Sequence, residues 1–441
     1  MEKSRYGIVL LSILAGTFLI PVNSTMIAVG LPTITESLHS SLPLVSWVVT
    51  VYLIVMAVVQ PIAGKLGDLY GNRKMFLLGM SLFLGASAAA IFSMNLFWLI
   101  GCRAIQAMGG ALAAPNASAV VRYVTPKEKL GRTLGLFGLS MGIGAALGPL
   151  AGAFLISHWG WPSIFWVNIP FALVSVMASF AALPKVKSKT TSSLDVYGCI
   201  LLAVSLVTLI LLVTHPEWLH VGTIALLLLA IWLFIRQEKK CESPLIQFDL
   251  FKNGMFTSAN VSILLGNGIM YSTILVMPIL MQREFGLSMQ TIGFLLFLFS
   301  LSMSLSSWIG GYFSDRVGPR QAVMLSFIVT AAGLIAFWGM YWVPSYSYRV
   351  LAMVIGGIGC GIGSAPMQAA SLQAVPKEMS GIASGIFSTS RYLGGIIATV
   401  LVSLLVDYRI LFAILLGFAA AGIPASLGLG KPTASRLKGI Q

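Results

Sequence analysis

Apolar residues in this chain run together in blocks of about 20, set apart by short stretches that hold most of the charge. The blocks fall near residues 6–29, 44–63, 75–94, 96–121, 131–157, 162–183, 194–214, 218–236, 255–281, 290–313, 321–341, 345–372, 380–404 and 407–428. Each is long enough for a helix to cross a hydrocarbon layer of about 30 Å. Each is also about twice the length of a membrane-barrel strand. Lipid offers backbone N–H and C=O groups no partner, so each block must close its own hydrogen bonds as a helix. The pattern predicts an all-α polytopic membrane protein with fourteen spans.

Composition agrees: 57% of residues are hydrophobic and 9% charged, against about a quarter charged in soluble domains. A net charge of +14 would suit a nucleic-acid partner, but its placement excludes that reading. With the N-terminus in the cytoplasm, 22 of the 27 Lys and Arg fall on the cytoplasmic side, among them Lys3, Arg5, Lys185, Lys187, Lys189, Lys431, Arg436 and Lys438. Arg283, Arg349 and Arg409 fall outside, and Arg103 and Arg391 lie within spans. This is the positive-inside bias, and it predicts a plasma-membrane protein with both termini cytoplasmic. An even number of spans follows. Cys102, Cys199, Cys241 and Cys360 lie in or beside spans without metal-like spacing, so no metal or cofactor is expected. Residues 1–24 have the outline of a signal peptide, but the apolar run continues to Val29 without a small-residue cleavage site, and a retained first helix is expected.

Two segments repeat. Gly64-Lys-Leu-Gly-Asp68-Leu-Tyr-Gly71-Asn-Arg73-Lys74 follows the second block and Gly311-Tyr-Phe-Ser-Asp315-Arg316-Val-Gly318-Pro-Arg320 the tenth, with Asp68 and Asp315 247 positions apart. Pro126-Lys-Glu-Lys-Leu-Gly131-Arg-Thr-Leu-Gly135 likewise matches Pro376-Lys-Glu-Met-Ser-Gly381-Ile-Ala-Ser-Gly385 at an offset of 250, which Gly144 and Gly394 share. Offsets this constant over three helices mark a duplication into parallel halves, a transporter architecture. Six spans with short connections would repeat after roughly 180 residues. The surplus of about 60 is two helices, the blocks at 194–214 and 218–236, which lack partners in the other half. The plan is a six-helix bundle (1–190), two inserted helices (191–240) and a second six-helix bundle (241–441). The second bundle opens with Pro244-Leu-Ile-Gln-Phe-Asp-Leu-Phe251, expected to be an amphipathic surface segment.

Further patterns lie between the repeats. One is Leu99-Ile-Gly-Cys-Arg103-Ala-Ile-Gln106 in the fourth span; another is Gly135-x8-Gly144-x3-Gly148-Pro149-x2-Gly152-Ala153 in the fifth. Leu31-Pro32 closes the first span, Trp47 and Tyr52 lie in the second, Phe165-x-x-Asn168-Ile-Pro170 in the sixth and Arg391-Tyr-Leu-Gly394-Gly395 in the thirteenth. With these motifs the chain resembles the major facilitator superfamily over essentially its whole length, and within it the fourteen-helix drug:proton antiporters. The resemblance implies the major facilitator fold. It also implies a cytoplasmic gating loop at Gly64, Asp68, Gly71 and Arg73 and again at Gly311, Asp315, Arg316 and Gly318. There the glycines permit a tight turn, and the Asp faces a neighbouring helix N-terminus or an Arg as a latch. Gly144, Gly148, Pro149 and Gly152 correspond to the antiporter helix motif, which in the family goes with export. Leu69 and Asn72 depart from the family pattern, which has Arg at both places.

An arginine inside a span is costly and marks a site. Arg103 and Asn23 fall at similar depth, near the outer third of the membrane. Asn23 stands where the fourteen-helix family members carry Asp, nine positions before the Pro of the Ala-Leu-Pro motif. None of the thirteen acidic residues is expected in mid-membrane, and all four histidines fall in outer loops. A fixed cation beside a neutral Asn favours anionic or zwitterionic cargo. The expected cavity comprises Asn23, Thr25, Trp47, Tyr52, Arg103, Gln106, Asn267, Tyr271 and Arg391, with Asn116, Asn260, Met303, Gln368 and Tyr392 as further candidates. The expected function is secondary active export of drug-like compounds or metabolites by alternating access, driven by proton antiport. An uncoupled facilitator or exchanger of organic anions, lipids or metabolites is the alternative, and a non-transporting membrane sensor a weaker one. No Gly-x4-Gly-Lys-Ser/Thr loop for nucleotide occurs, and no enzymatic cluster is found. The expected partners are a small-molecule substrate and the bilayer; the residues indicate no oligomeric state.

Overall fold

The computed structural model describes residues 3–184, 194–214, 218–241, 244–246, 248–404 and 407–430, and among these it is helical with no strand. The helices are α1 (Lys3–Ser37), α2 (Leu42–Val45), α3 (Trp47–Tyr70), α4 (Asn72–Ile91), α5 (Leu96–Val124), α6 (Leu130–Trp159), α7 (Ser163–Trp166), α8 (Asn168–Ala182) and α9 (Val196–Thr214). They continue as α10 (Val221–Lys240), α11 (Gly254–Arg283), α12 (Met289–Val317), α13 (Pro319–Gly339), α14 (Tyr346–Ile362), α15 (Ser364–Gln373), α16 (Ser380–Leu404) and α17 (Tyr408–Ser426). Thirteen stretches are long and apolar enough to cross a membrane, and Val196–Leu212 of α9 is a shorter apolar fourteenth. Each apolar block of the sequence is therefore helical. Lys185, Lys187, Lys189, Lys431, Arg436 and Lys438 lie outside the described residues.

Helix ends differ from the sequence reading where backbone chemistry allows continuation. The first span was expected to close at Leu31-Pro32, yet α1 runs to Ser37 with Pro21 and Pro32 inside it. Proline removes one N–H per site without stopping this helix, and threonines downstream bond back to it, Thr25 Oγ1 to Pro21 O at 2.9 Å and Thr35 Oγ1 to Leu31 O at 2.8 Å. The segments Gly64–Asp68 and Gly311–Asp315, expected as loops, are the last turns of α3 and α12. Only Gly71 (φ 100°) and Gly318 (φ 99°) leave the helix, in a region closed to most side chains. Pro319 then starts α13 at its first position, where a missing N–H costs nothing. The segment expected to be amphipathic holds a 3₁₀ turn over Phe248–Lys252.

The chain forms two compact units. Unit 1 comprises Met1–Thr125, Leu136–Ile246 and Glu378–Tyr392; unit 2 comprises Pro126–Gly135, Gln247–Lys377 and Leu393–Gln441. In unit 1, α4 and α3 pack on α5, while α1 and α4 pack on α8. In unit 2, α13 and α12 pack on α14, while α11 and α13 pack on α17. The same packing scheme is thus built twice. Small residues bring these helices together: a Cβ on Gly109 would lie 2.6 Å from the Gly79 carbonyl, and one on Gly333 would lie 2.6 Å from Gly356 Cα. The inserted pair α9 and α10 pack on each other, with α9 against α3 in unit 1.

Candidate functional site

The two repeated motifs are partners, crosswise. Asp68, at the end of α3, accepts hydrogen bonds from Gly381 N at 2.8 Å and Ile382 N at 2.7 Å, the first amides of α16. Asp315, at the end of α12, accepts from Gly131 N at 2.8 Å and Arg132 N at 2.9 Å, the first amides of α6. Helix N-termini expose unpaired N–H groups and the positive end of the dipole, so a carboxylate there is favourable on both counts. Glycine makes the approach possible. A Cβ on Gly131 would lie 2.7 Å from the Gly311 carbonyl, one on Gly135 2.9 Å from the Ser307 carbonyl, and one on Gly385 3.1 Å from Pro61 Cα. A Cβ on Gly64 would overlap the Gly381 carbonyl. Gly64 and Gly311 therefore serve close approach rather than a turn.

The Asp68 dock carries additions. Arg122 Nη1 donates to Ser380 Oγ at 2.9 Å, and the Asn72 side chain bonds both Asp68 and, at 3.0 Å, Asn116 Oδ1. Asn116, a cavity candidate in the sequence, spends its own amide on Ala63 O at 3.0 Å and Leu112 O at 2.8 Å, tying α3, α4 and α5 together. Lys65 Nζ donates to Pro244 O at 3.2 Å, and buried Glu238 on α10 accepts from Leu245 N at 3.3 Å and Ile246 N at 2.8 Å. These bonds fasten the segment after the inserted pair to α3. Lys65 and Glu238 were not singled out by sequence reasoning, because a basic residue near a span end reads as topology alone. The basic motif residues point elsewhere: Arg73 donates to Phe180 O at 2.5 Å and lies over the Phe180 ring, while Arg316 bonds and stacks on Tyr312.

A second cluster centres on Arg103, which is wholly buried on α5. Its Nε donates to Val48 O at 3.2 Å, and its Nη1 donates to Asn23 Oδ1 and, at 2.6 Å, to Gln106 Oε1. Its guanidinium lies 4.2 Å from the centre of the Tyr52 ring. Gln106 passes the chain of bonds on to Ser87 Oγ at 2.8 Å, and Tyr52 Oη donates to Ile20 O at 3.3 Å. Apolar clusters flank the network, one including Val48, Leu99 and Cys102 and the other Ile20, Met56, Ala107 and Ala111. The surroundings are therefore of low polarity, where a charge costs several kcal/mol unless compensated.

Asn23 is presented to Arg103 by a seam between α1 and α6. Cβ atoms on Gly144, Gly148 and Gly152 would lie 2.9 Å from Phe18 O, 3.0 Å from Val22 O and 3.1 Å from Met26 O. Two stripes at four-residue spacing thus mesh, and the three motif glycines set the position of the α1 segment that carries Asn23. Pro149 lies inside α6 between two of them.

Other expected cavity residues are not joined to Arg103 by these bonds. Thr25 is half-buried and donates to its own helix; Trp47 is half-buried at the start of α3. Arg391 lies over the Phe387 ring at 5.7 Å. Asn267 donates to Ile263 O at 3.1 Å on its own helix, and Tyr271 packs against Gly395, both in unit 2.

Residues 13–237 and 256–440 match the sequence profile of the Major Facilitator Superfamily. The chain is 43% identical over 440 residues to an uncharacterized MFS-type transporter, YvkA, of Bacillus subtilis (strain 168), covering 99% of each. It is 28% identical over 412 residues to the tetracenomycin C resistance and export protein of Streptomyces glaucescens, covering 91% of this chain and 76% of that one. Among solved structures, the proton:xylose symporter XylE bound to 6-bromo-6-deoxy-D-glucose is similar with a TM-score of 0.69 at 13% identity, over 97% of this chain and 95% of that one. That likeness is one of fold.

Proposed function

The chain belongs to the Major Facilitator Superfamily, whose members carry small molecules across membranes and are not enzymes, and from that premise we propose that it exports drug-like compounds or metabolites by alternating access. The observation that carries this reading is the pair of crosswise docks, Asp68 on α16 and Asp315 on α6. Each joins one sequence repeat to the other through two bonds from amides at a helix start. On this reading the docks and both termini are cytoplasmic in the plasma membrane, and opening both docks releases the cytoplasmic ends of the two repeats. Export rather than uptake is supported by the Gly144, Gly148 and Gly152 seam and by the export role named for the Streptomyces relative. The test is accumulation of fluorescent and antibiotic compounds in cells expressing the protein. Lower accumulation than in control cells supports export; raised accumulation contradicts it.

A second reading concerns the driving force. Proton antiport needs a titratable group in the transport pathway, and Arg103 has only neutral bonding partners among the described residues: Asn23, Gln106 and the Val48 carbonyl. This favours exchange or facilitated passage of organic anions over proton antiport. Reconstituted vesicles under an imposed pH gradient separate the two. Flux that follows the gradient supports antiport, and flux indifferent to it supports the second reading.

A further inference from the structure

Arg103 and Asn23 each keep one polar group idle. Arg103 Nη2 and Asn23 Nδ2 are buried without a hydrogen-bond partner, although both residues have no exposed surface. Both idle groups are donors, and Asn23 cannot be turned round without facing its amide at the Arg103 Nη1 donor. Among the described residues the guanidinium charge also has no carboxylate partner. Along their helices, Asp68 is sixteen residues from Tyr52 and Glu36 thirteen from Asn23, roughly 24 Å and 20 Å at 1.5 Å per residue.

The second repeat provides an internal control. With α3 and α4 offset by 247, α5 by 250, from Gly109 on Phe83 and Gly359 on Thr330, and α1 by 246, from Phe18 on Gly144 and Leu264 on Gly394, the counterparts of Asn23, Tyr52, Ser87, Arg103 and Gln106 are Ile269, Phe299, Leu334, Met353 and Gly356. All five are buried. These five positions are therefore filled there without a polar side chain, and the arginine that α14 does bury, Arg349, lies one turn away from Met353. Helix packing does not require the arginine, and what unit 1 adds at this place is a positive charge with two free donors.

We propose that Arg103 Nη2 and Asn23 Nδ2 form a buried subsite for a small monovalent anion, either inorganic halide or the carboxylate of a cargo molecule. The anion accepts from both donors and supplies the counter-charge that an acid at position 23 would otherwise provide. Neither donor has accessible surface in this conformation, so the anion enters only when the packing of α1 against α5 opens around them. The inference deepens the organic-anion reading of the same centre, and its test needs no transport.

The experiment is thermal unfolding of purified full-length protein in detergent, at constant ionic strength. Methanesulfonate is replaced stepwise by chloride in one arm and by benzoate in the other. The wild type should show a saturable rise in unfolding midpoint with at least one of them. Response to chloride alone assigns the site to an inorganic anion; response to benzoate alone assigns it to a cargo carboxylate; response to both supports the shared chemistry. Asn23→Leu removes one donor and should weaken apparent affinity about tenfold. Asn23→Asp installs a carboxylate beside Arg103 and should abolish the response while leaving the protein folded. A wild type insensitive to both anions, or an Asn23→Asp variant that responds like wild type, overturns the proposal. Anion binding without any measurable flux would instead count against the transport reading alone.

Discussion

Replacing Asp68 by asparagine changes one atom of the dock and leaves its shape intact. Asparagine offers one oxygen to two amides, so one of the bonds from Gly381 N and Ile382 N, at 2.8 and 2.7 Å, is lost and an amide donor faces another donor. A hydrogen bond to a charged acceptor is worth about 1.5–3 kcal/mol, and the carboxylate's attraction to the α16 N-terminus adds about 0.3–1 kcal/mol. The dock should weaken by about 3 kcal/mol, or roughly 100-fold in the ratio of docked to undocked forms. A dock formed about 99% of the time would then be formed about half of the time. Nitroxide labels at exposed Tyr70 and Glu378, in a background lacking the four native cysteines, report the distance between the ends of α3 and α16 by electron–electron double resonance. The wild type should give one short distance, and Asp68→Asn a second, longer population of comparable weight. A distance distribution unchanged by Asp68→Asn would refute the reasoning that this carboxylate holds the dock.

Three further substitutions test adjoining parts. Gly381→Val places a branched side chain where even a Cβ would lie 2.5 Å from Asp68 Oδ1, so it should lengthen the same labelled distance. Combined with Asp68→Asn it should add little, because both break one contact. Gly148→Leu overfills the seam against Val22 O and Thr25, and should lower stability by about 1–3 kcal/mol, read as an earlier unfolding midpoint in detergent. Asn116→Leu strips a donor from Ala63 O and an acceptor from Asn72. Unfolding should then be easier by about 2 kcal/mol, whereas a cavity role without structural duty would leave the midpoint in place.

The apolar helices, thirteen of spanning length and a shorter fourteenth, were legible because lipid demands long apolar blocks and leaves little room for other structure. Their ends were less so. A proline does not by itself stop a helix inside a membrane protein, and α1 continues through both Pro21 and Pro32. Glycine in Gly64-Lys-Leu-Gly-Asp68 reads as a turn, yet it equally permits two helices to touch, and only the three-dimensional partner decides which use applies. Constant offsets revealed that two motifs are duplicated, but an offset carries no information about which copy meets which; the crosswise pairing of Asp68 with Gly381 and of Asp315 with Gly131 is a tertiary fact. Arg103 and Asn23 were paired in advance by depth, since rise per residue places them at one level. Asn116 and Arg391 went elsewhere because polar residues in spans also serve helix contacts and aromatic faces, as Asn116 does across α3, α4 and α5 and Arg391 does over Phe387.

On the proposed function, Arg103 organises the pathway through which small molecules cross the membrane. The most direct test is compound accumulation in cells expressing wild type or Arg103→Ala at matched levels in the membrane. Wild type should lower accumulation of at least one compound class and Arg103→Ala should lose that effect. An Arg103→Ala variant that exports as well as wild type would contradict the account.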